Sequence, residues 1–228
     1  LLTCLLVLGG VPFFLPALLP LWLRKDIKLR HLALIPAAYL AMMIPALWGG
    51  KSLHHVLTVY TTQAGNYNFI TVNGPSLYNF LPKTLDKNLL YTMFSGMAMA
   101  LGMAMLAAIC LMVCLNRGHV TQEGTLLTCL LVLGGVPFFL PKMHERYTFG
   151  ADVLALVLAA YRPKRIALPL LFGLSSYICY TAGLPGDSIF DLKWATVCQG
   201  VAIALTAAAL YKSLHEEKTE AALAEVKA

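Results

Sequence analysis

The sequence predicts an all-α, polytopic helical membrane protein, and three observations predict it. Of its 228 residues, 59% are hydrophobic and only 12% are charged, where soluble domains carry about 25% charged residues. Mean hydropathy is +0.72. Several apolar runs approach the ~20 residues a helix needs to cross a bilayer, and short basic or polar clusters separate them. Helices suit such runs because they satisfy their own backbone groups in lipid.

About seven transmembrane or re-entrant segments fit this pattern: Leu1–Leu23, Leu32–Gly49, Leu89–Leu115, Thr125–Pro141, Thr148–Tyr161, Ile166–Gly183 and Trp194–Tyr211. Together they make a membrane domain over residues 1–211, interrupted by a long loop over residues 50–88. Thr148–Tyr161 is short for a full crossing, so it reads as a tilted, neighbour-buried helix or a re-entrant one. Pro12, Pro16, Pro20, Pro36, Pro45 and Pro169 fall within segments and are expected to kink them. The tail over residues 212–228 is rich in Ala and Glu and reads as a solvated helix or frayed end.

Basic residues set the expected orientation. One set of loops holds eleven: Arg24, Lys25, Lys28, Arg30, Arg117, Arg162, Lys164, Arg165, Lys212, Lys218 and Lys227. The opposite set holds six: Lys51, Lys83, Lys87, Lys142, Arg146 and Lys193. The first set is expected at the cytoplasmic face, with the tail, and the second outside. The net charge of +6 therefore belongs to a membrane boundary and its anionic lipids, not to nucleic acid. Membrane lipids are the expected surroundings.

The cysteines, Cys4, Cys110, Cys114, Cys129, Cys179 and Cys198, all lie in apolar runs, which argues against a disulfide framework or a zinc site. His54 and His55 have no Cys or carboxylate companions at ligand spacing, and no metal is expected. Leu1 already lies within an apolar run with no charged leader or cleavage site. That reads as a fragment without its original N-terminus rather than as a signal peptide. Leu1–Pro16 and Leu126–Pro141 are the same sixteen residues, LLTCLLVLGGVPFFLP. True internal repeats resemble each other only loosely, so identity marks a recent duplication or an error of sequence assembly.

Two stretches carry candidate chemistry. Lys142-Met143-His144-Glu145-Arg146-Tyr147 sits between two apolar runs, where charge costs roughly 2.5–3.5 kcal/mol per residue. Arg146 is suited to a forked contact with phosphate. Lys142 and His144 add positive charge, Glu145 orients a cation, and Tyr147 donates a hydrogen bond. The group suits a phosphate on which negative charge develops; it equally fits a snorkelling boundary with a Glu partner. Asp152 lies five residues beyond Tyr147 and is expected to pair with Arg146 or Lys142. Asp187 and Asp191 read as solvated. The second stretch, Tyr60–Pro82, mixes aromatic faces (Tyr67, Tyr78) with amides (Asn73, Asn79), which suits a sugar or lipid headgroup or, equally, an interfacial aromatic belt.

These strings are where the chain resembles a known family. PKMHERYTFGADVLALVLA (Pro141–Ala159) and NGPSLYNFLP (Asn73–Pro82) resemble bacterial integral-membrane glycosyltransferases of the GT-C superfamily, related to the second mannosyltransferase of GPI-anchor synthesis. The expected family strings are similar to PKMHERYFFPADVLSL and NAPNLYQWLP. This chain departs from them at positions that include Thr148, Gly150, Gly74 and Ser76. The resemblance covers residues 32–211, the C-terminal half of such an enzyme.

The resemblance implies a transferase in the bacterial inner membrane. It would pass a sugar, mannose, from a polyprenyl-phosphate carrier to an acceptor at the outer face, with no further cofactor. Lys142, His144 and Arg146 would hold the carrier phosphate, supported by Glu145, Tyr147 and Asp152. Tyr67, Asn73, Tyr78 and Asn79 would line the sugar or acceptor side. The superfamily's general base is a carboxylate in the first outer loop. No match to that loop is found, so the base is expected to be missing and the catalytic residue is unknown. Two other readings remain: a secondary transporter or lipid flippase, favoured by the repeat and the proline-broken segments, and a non-catalytic membrane scaffold.

Overall fold

The computed structural model describes residues 16–58, 69–82, 84–183 and 190–227. Tyr67, Lys83, Asp187 and the first copy of the 16-mer up to Leu15 lie outside the described residues. The α-helices that carry the argument are α1 (Leu19–Leu23), α2 (Leu34–Trp48), α3 (Lys87–Leu115), α4 (Gln122–Phe139), α5 (Phe149–Tyr161), α6 (Ala167–Gly183) and α7 (Leu192–Lys227); residues 53–58 are helical too. The strands β1 (Thr71–Val72) and β2 (Met143–His144) form one short parallel ribbon. The protein is all-α, and among the described residues five stretches are long and apolar enough to cross a membrane: Arg30–Trp48, Lys87–Leu115, Gln122–Phe139, Pro163–Gly183 and Leu192–His215.

Helix starts follow local chemistry. Asp86 caps α3, its carboxylate accepting from the N–H groups of Asn88 and Leu89. Thr121 caps α4, its hydroxyl oxygen accepting from Gly124 N–H at 2.8 Å. Each satisfies donors that the first helical turn leaves without partners.

α4 is the central helix. Of its spanning stretch 67% is buried inside the protein, against 6% for Arg30–Trp48, which therefore presents its apolar side chains outward. Leu127, Leu130, Leu131 and Val136 of α4 meet Ile109 of α3, Leu154 and Leu158 of α5, Phe172 of α6 and Leu210 of α7 in one core. The pair Gly134–Gly135 permits this. A Cβ on Gly134 would stand 2.6 Å from the Phe172 ring, and one on Gly135 2.9 Å from Met105 Cε. Small residues at such crossings let helices approach closely. The only described part of the N-terminal run, η-turn Pro16–Leu18 and α1, packs on α4, where the Cys129 thiol donates to the Ala17 carbonyl at 3.1 Å.

α5 decides the path of the chain. It has 13 residues, about 20 Å of helix, yet it runs from one end of the bundle to the other. Before its first turn, Thr148 Oγ1 lies 3.3 Å from Ser176 Oγ in α6. Just past its last turn, Arg162 Nε donates to Glu123 at the start of α4 at 2.9 Å. The segment thus passes between neighbours instead of turning back, and most of its inward face is buried. The two expected loop sets accordingly separate for α3 to α7. Glu123, Arg162, Arg165, Thr121 and Ser213 gather at one end, and the ribbon, Ser76 and Thr196 at the other. Finally, α7 does not stop at Tyr211 but continues as helix through Lys227.

Candidate anion-binding site

The ribbon joins the two strings singled out from sequence. Thr71 is in register with Met143 and Val72 with His144; Asn73 continues with a bridge to His144. The N–H of Lys142 donates to the Ile70 carbonyl at 3.1 Å. Approach is close enough that a Cβ on Gly74 would lie 2.7 Å from the Met143 carbonyl oxygen. Asn73 (φ 56°) and Lys142 (φ 62°) both take the left-handed backbone region beside the ribbon. Asn tolerates that region; for Lys it costs roughly 1–2 kcal/mol. Such strain persists where surrounding contacts over-determine it.

The loop carrying Asn73 is locked to the helix ends beneath it. Tyr78 Oη donates to the Phe139 carbonyl at 2.8 Å, and Ser76 Oγ to the Phe138 carbonyl at 3.5 Å. These are the last carbonyls of α4, which have no acceptor role left within the helix. Asn79 Nδ2 reaches both the Gly74 carbonyl and Thr196 Oγ1 of α7 at 2.9 Å. Thr196 Oγ1 in turn reaches the Ser76 carbonyl at 3.0 Å. Ser76, Tyr78, Asn79 and Thr196 are all buried.

The ionisable residues sit above this platform. The Lys142 ammonium lies 4.8 Å from the centroid of the Tyr91 ring, a cation–π contact. The His144 ring meets Tyr147 edge-on, at 5.4 Å and 80°, and its Nδ1 is 3.9 Å from Glu145 Oε2. Burial, then the Arg146 charge, hold the His144 imidazole below its usual pKa, against the opposite pull of Glu145. At neutral pH His144 therefore offers an N–H rather than a charge. Arg146 is exposed on the turn Glu145–Thr148. Asp152 has a different partner from the cations expected for it: the Ser176 hydroxyl on α6. Its Oδ1 is enclosed with no hydrogen-bond partner.

Of the expected sugar-side residues, Asn73, Tyr78 and Asn79 also line a cleft of about 270 Å³ beside the ribbon. Phe69, Leu81, Pro82 and Leu90 give it apolar walls, and Lys87 stands at 5.3 Å over the Phe69 ring. The basic-residue count placed Lys87 on the same side as Lys142 and Arg146, but nothing marked Thr196 or Ser176 as part of this end. Their only signal was a hydroxyl within an apolar run.

Among the described residues, no three His, Cys, Asp or Glu side chains converge as a metal site. Chemically the arrangement offers two permanent cations, one imidazole N–H and the Asn73 side chain around a ribbon, next to a mostly apolar cleft. That combination suits an anionic headgroup attached to an apolar chain. Compared with protein-family models, with curated proteins and with solved structures, the chain finds no match.

Proposed function

We propose that this chain belongs to a membrane glycosyltransferase of the GT-C type, in the bacterial inner membrane, that takes a sugar, mannose, from a polyprenyl-phosphate carrier. The observation that carries the reading is the ribbon. The two strings that resemble the family are separated in sequence by α3 and α4, and Asn73 of the first nevertheless bridges to His144 of the second, beside the Val72–His144 pair. In the proposed reaction an acceptor hydroxyl oxygen bonds to the sugar's anomeric carbon as the bond from that carbon to the phosphate oxygen breaks. The electron pair leaves with the phosphate. Arg146 and Lys142 stabilise the charge that develops there, and His144 adds a hydrogen bond. Glu145 holds the imidazole, and Tyr147 supports its ring. These residues act on the leaving group; the proton of the acceptor hydroxyl goes to a base that is none of them.

The test is transfer from polyprenyl-phosphate mannose by membranes holding the wild-type protein or Arg146→Ala. Loss of one such donor costs roughly 100-fold or more in rate, and that loss is expected. Unchanged transfer removes Arg146 from the mechanism.

A further inference from the structure

We propose that Asp152 is a positioning residue, which acts through Ser176 and Thr148 to fix the turn that carries Arg146 and borders His144. For its ligand arm this rests on the function proposed above; for its structural arm it does not.

The argument starts from hydroxyls in helices. Among the described residues some reach another element, as Ser175 does to the Ala195 carbonyl and Ser213 to Thr121 Oγ1, and several bond back to their own helix, four residues earlier: Thr125 to Thr121, Thr128 to Gly124 and Thr206 to Ala202. A hydroxyl so satisfied asks nothing of a neighbouring helix. Ser176 behaves otherwise. Its Oγ faces Thr148 Oγ1 across the α5–α6 contact at 3.3 Å and also bonds the Asp152 carboxylate. The Asp152 carboxylate accepts the one proton of Ser176, and Ser176 Oγ in turn accepts from Thr148 Oγ1, so the chain runs from Asp152 to the side chain of Thr148, the last residue of the turn. The Glu145 carbonyl, 3.3 Å from Thr148 Oγ1, is the alternative acceptor for that same proton. Thr148 and Ser176 are both almost fully buried, so water does not compete for these bonds.

The same turn of α6 is shared by both carboxylates, since Glu145 and Asp152 each act electrostatically on Cys179 and Tyr180. Asp152 Oδ1 meanwhile is enclosed without a partner. A carboxylate kept in that state costs stability that a leucine would not. Packing alone gives no reason to keep it; orientation of the turn does.

The experiment compares the wild-type chain in detergent with Ser176→Ala, Ser176→Thr and Asp152→Asn. The first readout is the His144 imidazole titration by NMR, assigned by its loss in His144→Gln. The groups that act on it are Arg146 and Glu145, with the Tyr147 ring edge-on to it. Ser176→Ala frees the turn, so the His144 titration midpoint moves; Ser176→Thr keeps the hydroxyl and restores it, and Asp152→Asn keeps the shape and shifts it less. The second readout is affinity for polyprenyl phosphate, which Ser176→Ala weakens about tenfold, the weight of one hydrogen bond.

A His144 titration unchanged in Ser176→Ala overturns the proposal, whatever the affinity does. A moved titration with no phosphate binding in any variant, wild type included, leaves the positioning role standing and rejects the phosphate reading instead. Should Ser176→Ala fail to fold, Asp152→Asn decides by the same titration: no shift overturns the proposal.

Discussion

The phenol of Tyr78 caps α4 from outside, donating to the Phe139 carbonyl across 61 residues of sequence. A distant loop thus closes a helix end that its own chain leaves open. Tyr78→Phe keeps the ring and removes the donor. We expect a loss of about 1 kcal/mol, the usual weight of one buried hydrogen bond, read as a lowered midpoint of thermal unfolding. An unchanged midpoint would show the cap to be dispensable.

Gly74 bears on the ribbon in the same way. Its missing Cβ leaves the room that the Met143 carbonyl occupies. In Gly74→Ala the backbone must separate, at a cost of roughly 1–3 kcal/mol for forced overpacking. The similar family string has Ala at this place, which makes the substitution informative. Tolerance at wild-type stability would mean that the two segments stand further apart than described here.

His144 gives a dependence on pH with a definite sign. Its pKa in the folded chain lies below 6.5. Above that value the imidazole is neutral in both states and contributes nothing. As pH falls through 6.5 the unfolded chain binds the proton first, so the folded state loses stability until the folded imidazole also titrates. Wild type should therefore lose stability relative to His144→Gln as pH falls from neutral through 6.5 and below. A stability difference flat across that window contradicts the burial of this ring.

Glu123 is the control at the other end of the bundle. It receives Arg162 Nε at 2.9 Å, and Arg165 through both Nε and Nη2. Because Arg162 is half exposed, the network is worth about 1 kcal/mol rather than several. Glu123→Gln should lower the unfolding midpoint slightly and leave polyprenyl-phosphate affinity untouched. A large loss of affinity would mean that the two ends are coupled.

Much of the fold is legible in sequence because lipid imposes length and apolarity on every crossing. α3, α4, α6 and α7 all fall on the expected runs. α5 was ambiguous because 13 residues are short for a lipid-facing crossing; only its neighbours, which bury it, allow it to run through. The ribbon was illegible for another reason. Two residues on each side have no periodicity, and their pairing joins positions far apart in the chain. Composition singled out Tyr78 and Asn79 as suited to a sugar or lipid headgroup; it carried no information on the direction of their bonds. Both spend those bonds on helix ends and loop carbonyls. Ser176 was hidden by its setting, since a hydroxyl in an apolar run ordinarily bonds its own helix.

The central claim is that this end of the bundle recognises phosphate, and the most direct measurement compares polyprenyl phosphate with the uncharged polyprenol of the same length. Binding of both to the purified chain isolates the headgroup from the apolar tail. The account predicts that the phosphate binds roughly 100-fold more tightly, as charge-assisted contacts require, and that Lys142→Ala with Arg146→Ala abolishes the difference. Equal affinities for the two lipids in the wild-type protein would contradict it.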